Sequence, residues 1–323
     1  MKFSIIIPTY NRNRSLLRLV GQLMNQNYKK DDYEIIVVDN GCDINCQREL
    51  EKLKSDFLNI YYFKEHKPGQ SFSRNMGIKK SNFDTVICID DDCSVKKNFL
   101  LSYANSWTKH KDAVIIGGKI VADINNKSEK KWLIDQFPWC FGATVCKKTK
   151  ELQLGEFVFG GNISFKKNLV GSPFFNTMFG RTDRRKIFTF GGEDYELCTR
   201  MILKNRKIFF DKNIVVTNHV NDERFSYSYI ATRFYFVGKE TAAMDELLSK
   251  DFENYSMVGK RISWFINDAF IKSFGSFNTI CQCIYMTSFL YYLMIFSFLR
   301  FSEGLIFRLN QLLNLSTAIK IKK

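Results

Sequence analysis

Asp90, Asp91 and Asp92 stand together at the end of the apolar run Thr85-Val86-Ile87-Cys88-Ile89. Carboxylates crowded at the carboxyl end of a buried strand repel one another and lose hydration, so they persist where a divalent cation and its own ligand compensate them. The chemistry implied is a metal holding phosphates. A plainer account competes: acids in series often start a helix by accepting hydrogen bonds from its free amides, and the stretch from Lys96 to Trp107 reads as helical. The residues that accompany the triplet decide between the two.

The elements before it form a repeating unit. Phe3-Ser4-Ile5-Ile6-Ile7 is an apolar strand broken by Pro8 and followed by Thr9, Tyr10, Asn11 and Arg12, after which Leu16, Leu17, Val20, Leu23 and Met24 recur at helical spacing. Glu34 to Val38 is a second buried strand, ending in Asp39-Asn40-Gly41, with a helical stretch near Arg48 to Lys54. Asn59 to Phe63 gives a third strand, Ser71 to Lys80 a helix and Thr85 to Asp90 the fourth strand. Such alternation predicts an α/β fold with a mostly parallel sheet flanked by helices, whose ligands sit beyond the carboxyl ends of the strands. Thr9, Tyr10, Asp39 and the triplet all fall at such ends, so one crevice gathers them. No glycine-rich dinucleotide fingerprint or phosphate loop follows the first strand, which counts against a nicotinamide enzyme and a P-loop phosphotransferase.

The strings SIIIPTYNR, EIIVVDNG, KPGQSFSRNMGI, CIDDDC, FGGNISF and GGEDYEL, in this order and over about the first two thirds of the chain, resemble the family 2 glycosyltransferases of GT-A fold. The resemblance implies an inverting, metal-dependent transfer from a nucleotide sugar. It implies that Thr9 and Tyr10 line the base pocket, the ring stacking on uracil or a related base while Asp39 accepts a hydrogen bond from it; an aromatic face with one directional acceptor suffices to choose a base. Arg74 is then expected to reach the nucleotide and its phosphates. In the triplet, Asp92 binds the metal most directly, and Asp90 and Asp91 address the ribose and the metal's waters. The expected ion is Mn2+ or Mg2+, bridging diphosphate oxygens.

His219 follows the strand Ile214-Val215-Val216-Thr217 and is, by the same resemblance, a further metal ligand, although a histidine after a strand is equally a common structural element. Gly160, Gly161 and Asn162 are binding candidates for the donor sugar and acceptor, the glycines allowing close backbone approach. Glu193 and Asp194 open a helix, where acids also suit the helix dipole. Inverting transfer needs a carboxylate to take the acceptor's proton, and the resemblance places it in this pair, with Asp194 first and Glu193 second.

At 323 residues the chain exceeds the usual size of one core, and it divides as residues 1–225, a catalytic domain with a nucleotide-binding half (1–118) and an acceptor-binding half (119–225), followed by a helical region, 226–323. Nine cysteines without a CxxC pair indicate neither a zinc site nor a disulfide framework and fit a reducing cytoplasm. The net charge of +15 comes from dispersed bases, with no nucleic-acid-binding motif; it suits an anionic lipid surface or an acidic nucleotide sugar instead.

From Ser273 to Leu299 there is no charged residue, and Ile280 to Leu299 would span about 30 Å as a helix, although its cysteines, Gln282, Thr287, Ser288 and Ser297 make a mediocre spanning segment. A second amphipathic stretch, 305–315, and the terminal Lys320 to Lys323 favour helices lying at the cytoplasmic face of a membrane over spanning helices or a soluble hairpin. A five-residue apolar core ending at Pro8 is too short for a secretory signal. The expected reaction moves a sugar from a UDP-sugar to a saccharide hydroxyl, on a surface polysaccharide or lipid-linked oligosaccharide. Two alternatives are a transferase acting on polyprenyl phosphate, which needs no proton-abstracting base, and a non-catalytic nucleotide-sugar-binding protein.

Overall fold

The computed structural model describes residues 1–41, 44–124, 131–180, 191–252, 257, 280–292 and 294. In chain order the elements are β1 (Phe3–Thr9), α1 (Asn13–Met24), β2 (Tyr33–Asp39), α2 (Ile44–Leu53), β3 (Ile60–Lys64), α3 (Gln70–Lys80), β4 (Thr85–Ile89), β5 (Cys93–Val95), α4 (Phe99–Lys109), β6 (Ala113–Asp123), α5 (Lys131–Gln136), β7 (Lys150–Glu151), β8 (Asn162–Lys166), α6 (Lys167–Val170), α7 (Glu193–Leu203), β9 (Lys207–His219) and α8 (Tyr227–Asp251).

The strands form one sheet in the order β3-β2-β1-β4-β8-β6-β9-β5, with β7 also paired to β9. β3, β2, β1 and β4 are mutually parallel. β1 and β2 are buried at every position, as a parallel strand covered on both faces must be. Because side chains alternate across a strand, Phe3, Ile5 and Ile7 enter one core with Leu16, Leu19, Val20 and Leu23 of α1, while Ile6 enters the other with Ile78 of α3 and Leu197 of α7. Ile35 and Val37 against Ile36 and Val38, and Ile87 and Ile89 against Val86 and Cys88, divide in the same way. The two helical layers follow from this alternation within continuous apolar runs.

Beyond β4 the sheet becomes mixed. β8 runs antiparallel to both β4 and β6, pairing Ile89 with Asn162. Its amino end therefore lies beside the carboxyl end of β4, and Gly160-Gly161 are delivered to the triplet. β6 and β9 are parallel, and β5, which begins at Cys93 directly after the triplet, pairs antiparallel with the end of β9.

The chain divides into two compact units, Met1–Ile230 and Ala231–Lys323. In the second, residues 280–292 are helical, and the Ser288 hydroxyl donates to the Tyr235 carbonyl at 2.8 Å. Among the described residues no helix is long and apolar enough to cross a membrane. The amphipathic stretch 305–315 and Lys320 to Lys323 lie outside the described residues, as does most of the run after 292.

Candidate active site

The three aspartates occupy a turn closed by the Cys93 N–H donating to the Asp90 carbonyl at 3.1 Å, and the turn gives them different surroundings. Asp91 is 4 % exposed; its Oδ2 accepts from the Thr9 hydroxyl at 2.7 Å and its Oδ1 from Arg12 Nη1 at 3.0 Å. Burial pushes Asp91 up to about 6 against the pull of Arg12, with Asp92 and Asp90 adding to the rise. Asp90 Oδ1 accepts from Gln70 Nε2 at 2.9 Å and Arg74 Nη2 at 2.8 Å. Asp92 Oδ2 accepts from Arg12 Nη1 at 2.9 Å and has Arg224 Nη2 at 3.8 Å.

Among the described residues, Asp90 Oδ2 and Asp92 Oδ1 have no partner, whereas both oxygens of Asp91 do. The alternate members of the triplet thus keep one hard donor each. That donor set fits Mg2+ or Mn2+, which commonly take one or two carboxylates and complete their shell with water and phosphate oxygens. No three His, Cys, Asp or Glu side chains converge on a metal position among the described residues.

His219 lies next to the triplet but does not extend this set. Its Nε2 is 2.7 Å from the Ser94 hydroxyl and its Nδ1 2.9 Å from Asp123 Oδ2, so both ring nitrogens are engaged. What His219 gives the triplet is a main-chain N–H donated to the Asp92 carbonyl at 3.1 Å, a consequence of the β5–β9 pairing. In this arrangement the ring braces β5 against β9 beside the triplet.

Arg74 also departs from expectation. It is 1 % exposed, with Nη2 on Asp90 and Nη1 2.5 Å from Glu193 Oε1, and it lies over the Phe175 ring at 5.2 Å. Burial alone lowers its pKa, but Asp90 and then Glu193 raise it above its ordinary value, so it stays charged. The enclosed guanidinium joins the triplet to the acidic pair of α7. A Cβ on Gly160 would lie 2.6 Å from Arg74 Nη1, and one on Gly161 2.8 Å from Asp90 Oδ2, which explains both glycines by space.

Asp194 is half-buried at the start of α7, its Oδ2 accepting the Gly160 N–H at 2.9 Å and its Oδ1 the Tyr195 N–H at 2.8 Å. Burial first, and the adjacent Glu193 carboxylate second, push Asp194 up to about 6, against the Gly160 amide and Arg74. This is the range of a carboxylate able to accept a proton near neutral pH. Glu193 is 6 % exposed and committed to Arg74.

Tyr10 is 63 % exposed, its ring free to stack. Thr9 is buried and gives its hydroxyl to Asp91, so it supports the triplet. Asp39 is 1 % exposed and accepts from the Gly41 N–H and the Tyr62 hydroxyl, both at 2.8 Å. Asn162 is fully buried: its Oδ1 accepts from the Tyr103 hydroxyl at 2.8 Å and its Nδ2 donates to the carbonyls of Lys119 and Ile214. It ties β8 to its neighbours.

Sequence reasoning missed Arg12, Gln70, Ser94 and Arg224. Arg12 follows Asn11, whose φ of 54° turns the chain at the head of α1, and a left-handed asparagine before a basic residue was the available signal. Arg224, in the turn after β9, carried no local signal, since its relation to Asp92 arises from strand pairing.

Residues 4–178 match the family profile described as Glycosyl transferase family 2. The glucosyl-dolichyl phosphate glucuronosyltransferase of Haloferax volcanii is 24 % identical over 258 residues, covering 76 % of this chain and 78 % of that protein. The structure of Staphylococcus aureus TarS 1–349 in complex with UDP-GlcNAc superimposes with a TM-score of 0.52 at 18 % identity, over 81 % of this chain and 76 % of the other. The mannosyltransferase PcManGT from Pyrobaculum calidifontis, in complex with GDP-Man and Mn2+, gives 0.57 at 12 % identity, over 90 % and 87 %. These two likenesses establish the fold.

Proposed function

The chain belongs to glycosyl transferase family 2 and is a glycosyltransferase, and from that premise we propose that it moves a sugar, with inversion, from a UDP-sugar to a hydroxyl of a lipid-linked saccharide. The observation that carries the reading is the buried Arg74 bridge, which holds Asp90 of the triplet and Glu193 of the acidic pair on one guanidinium. Groups suited to the two ends of a displacement are thereby fixed in one crevice.

Tyr10 stacks on the base, with Asp39 at the neighbouring strand tip. Asp92 and Asp90 would hold Mg2+ or Mn2+ through their free oxygens, and the ion would neutralise the diphosphate and stabilise its departure. Asp194 takes the proton of the acceptor hydroxyl as that oxygen attacks the anomeric carbon; the bond from this carbon to the diphosphate oxygen breaks on the opposite side. The Gly160 amide holds Asp194 in position. Residues 1–118 serve the nucleotide and 119–225 the acceptor, with 226–323 lying at the inner face of the cell membrane. The lipid-linked acceptor is supported by the Haloferax relative's name, and the UDP donor by the TarS complex.

UDP release from UDP-sugars with Mn2+ and a lipid-linked oligosaccharide tests the proposal. Asp194→Asn is expected to lower transfer by about 10²- to 10⁴-fold. Near-normal turnover in that variant would point to an acceptor that brings its own anion, polyprenyl phosphate. Failure of the wild-type protein to bind any nucleoside diphosphate would remove the proposal.

A further inference from the structure

Arg224 stands in the turn after β9 with its side chain 13 % exposed and Nη2 3.8 Å from Asp92 Oδ2, an ion pair without a hydrogen bond. None of its guanidinium nitrogens has a hydrogen-bonding partner among the described residues. The side chain is otherwise enclosed, yet its guanidinium nitrogens keep access to solvent, so a ligand that reaches this turn meets N–H donors that no protein group has taken. Arg12 approaches the same carboxylate from the loop after β1. Its Nη1 serves Asp91 and Asp92 together, while Nε and Nη2 have no partner and the side chain is 34 % exposed.

Two guanidiniums from separate loops therefore flank Asp92, each with donors unmatched, next to an aspartate oxygen that is also free. Guanidinium N–H groups match phosphate oxygens in paired, planar contacts that lysine does not reproduce. We propose that Arg224 and Arg12 clamp the diphosphate of the nucleotide sugar on either side of Asp92 and hold the negative charge that develops on it as the sugar departs. The inference rests on the transferase reading above and adds to it two residues that contact the leaving group. Arg74 is excluded from the clamp by its burial between Asp90 and Glu193.

Calorimetric titration with UDP, GDP, uridine and guanosine at fixed Mg2+ and ionic strength tests the clamp. Arg224→Ala is expected to weaken the diphosphate that the wild type binds by about 10- to 100-fold, the loss of one or two charge-assisted hydrogen bonds, and to leave the matching nucleoside unchanged. Arg224→Lys retains part of the affinity, and Arg12→Ala weakens the diphosphate in the same selective way. Arg224→Gln serves where the alanine variant does not fold. Unchanged diphosphate affinity in the Arg224 variants, or equal loss for nucleoside and diphosphate, overturns the clamp and leaves the transferase reading standing. A wild-type protein that binds neither UDP nor GDP overturns both.

Discussion

Asp194 stands on a titration whose direction can be worked out. Burial and Glu193 raise it to about 6, so the anion that the proposed mechanism needs as base becomes the dominant form only above that pH, and transfer should climb as pH rises through about 6 and then level off. A folded-state pKa above the unfolded value means that this group's contribution to stability is complete below about 4 and is lost as pH rises through about 6. Replacing it by a neutral isostere removes a penalty. Asparagine keeps one acceptor oxygen and turns an NH2 toward one of the two main-chain N–H groups that the carboxylate accepts, so Asp194→Asn should gain on wild type as pH rises from about 5 to about 8, by about 2–4 °C for each kcal/mol relieved, whatever its offset at pH 5. Thermal melts at several pH values check this; a melting-temperature difference that does not move with pH would contradict the assigned environment.

At the scale of elements, α3 sets the position of Arg74. Gln70, Arg74 and Gly77 lie on one helical stripe, and Gly77 is where the helix meets the sheet: a Cβ there would be 2.5 Å from Ile6 Cγ2 and 3.1 Å from Val38 Cγ2. Gly77→Ala should lift α3, cost about 1–3 kcal/mol, and lower turnover because Arg74 shifts against Asp90 and Glu193. Gly21→Ala in α1, with nothing within 4 Å of the added carbon, should instead be neutral or stabilising by about 0.5–1 kcal/mol. Urea unfolding and kcat of both variants decide the matter, and equal behaviour would refute the packing argument. The parallel half of the sheet was legible because fully buried strands are continuous apolar runs and their tips carry local polar signals. Strand direction has no such signal, so the reversal of β8 was not legible. Arg74 was recognisable as a residue of the site, but its role depends on Glu193, 119 residues away. The same limit concealed Arg12 and Arg224, and it hid the partners of His219 and Asn162, whose hydrogen bonds arise from pairing across the sheet.

At the scale of the whole molecule, a net charge of +15 makes an electrostatic demand on the surroundings. Binding to vesicles containing phosphatidylglycerol should exceed binding to neutral vesicles and fall as salt shortens the screening length below about 8 Å. Co-sedimentation across a salt series measures it. Equal binding to neutral vesicles, insensitive to salt, would remove charge as the cause. The apolar run near 280–292 would then have to carry any attachment, which removal of its aromatic side chains would test.

Gly160 holds Asp194 by its amide while Gly161 lies under the free oxygen of Asp90, so on the proposed mechanism adjacent peptide units would serve opposite halves of one displacement. Natural variation at this dipeptide cannot improve the fit of one reactant without disturbing the other. Divergence toward new sugars or new recipients must accumulate elsewhere in the chain, and a mutant library built to alter specificity should leave both positions untouched.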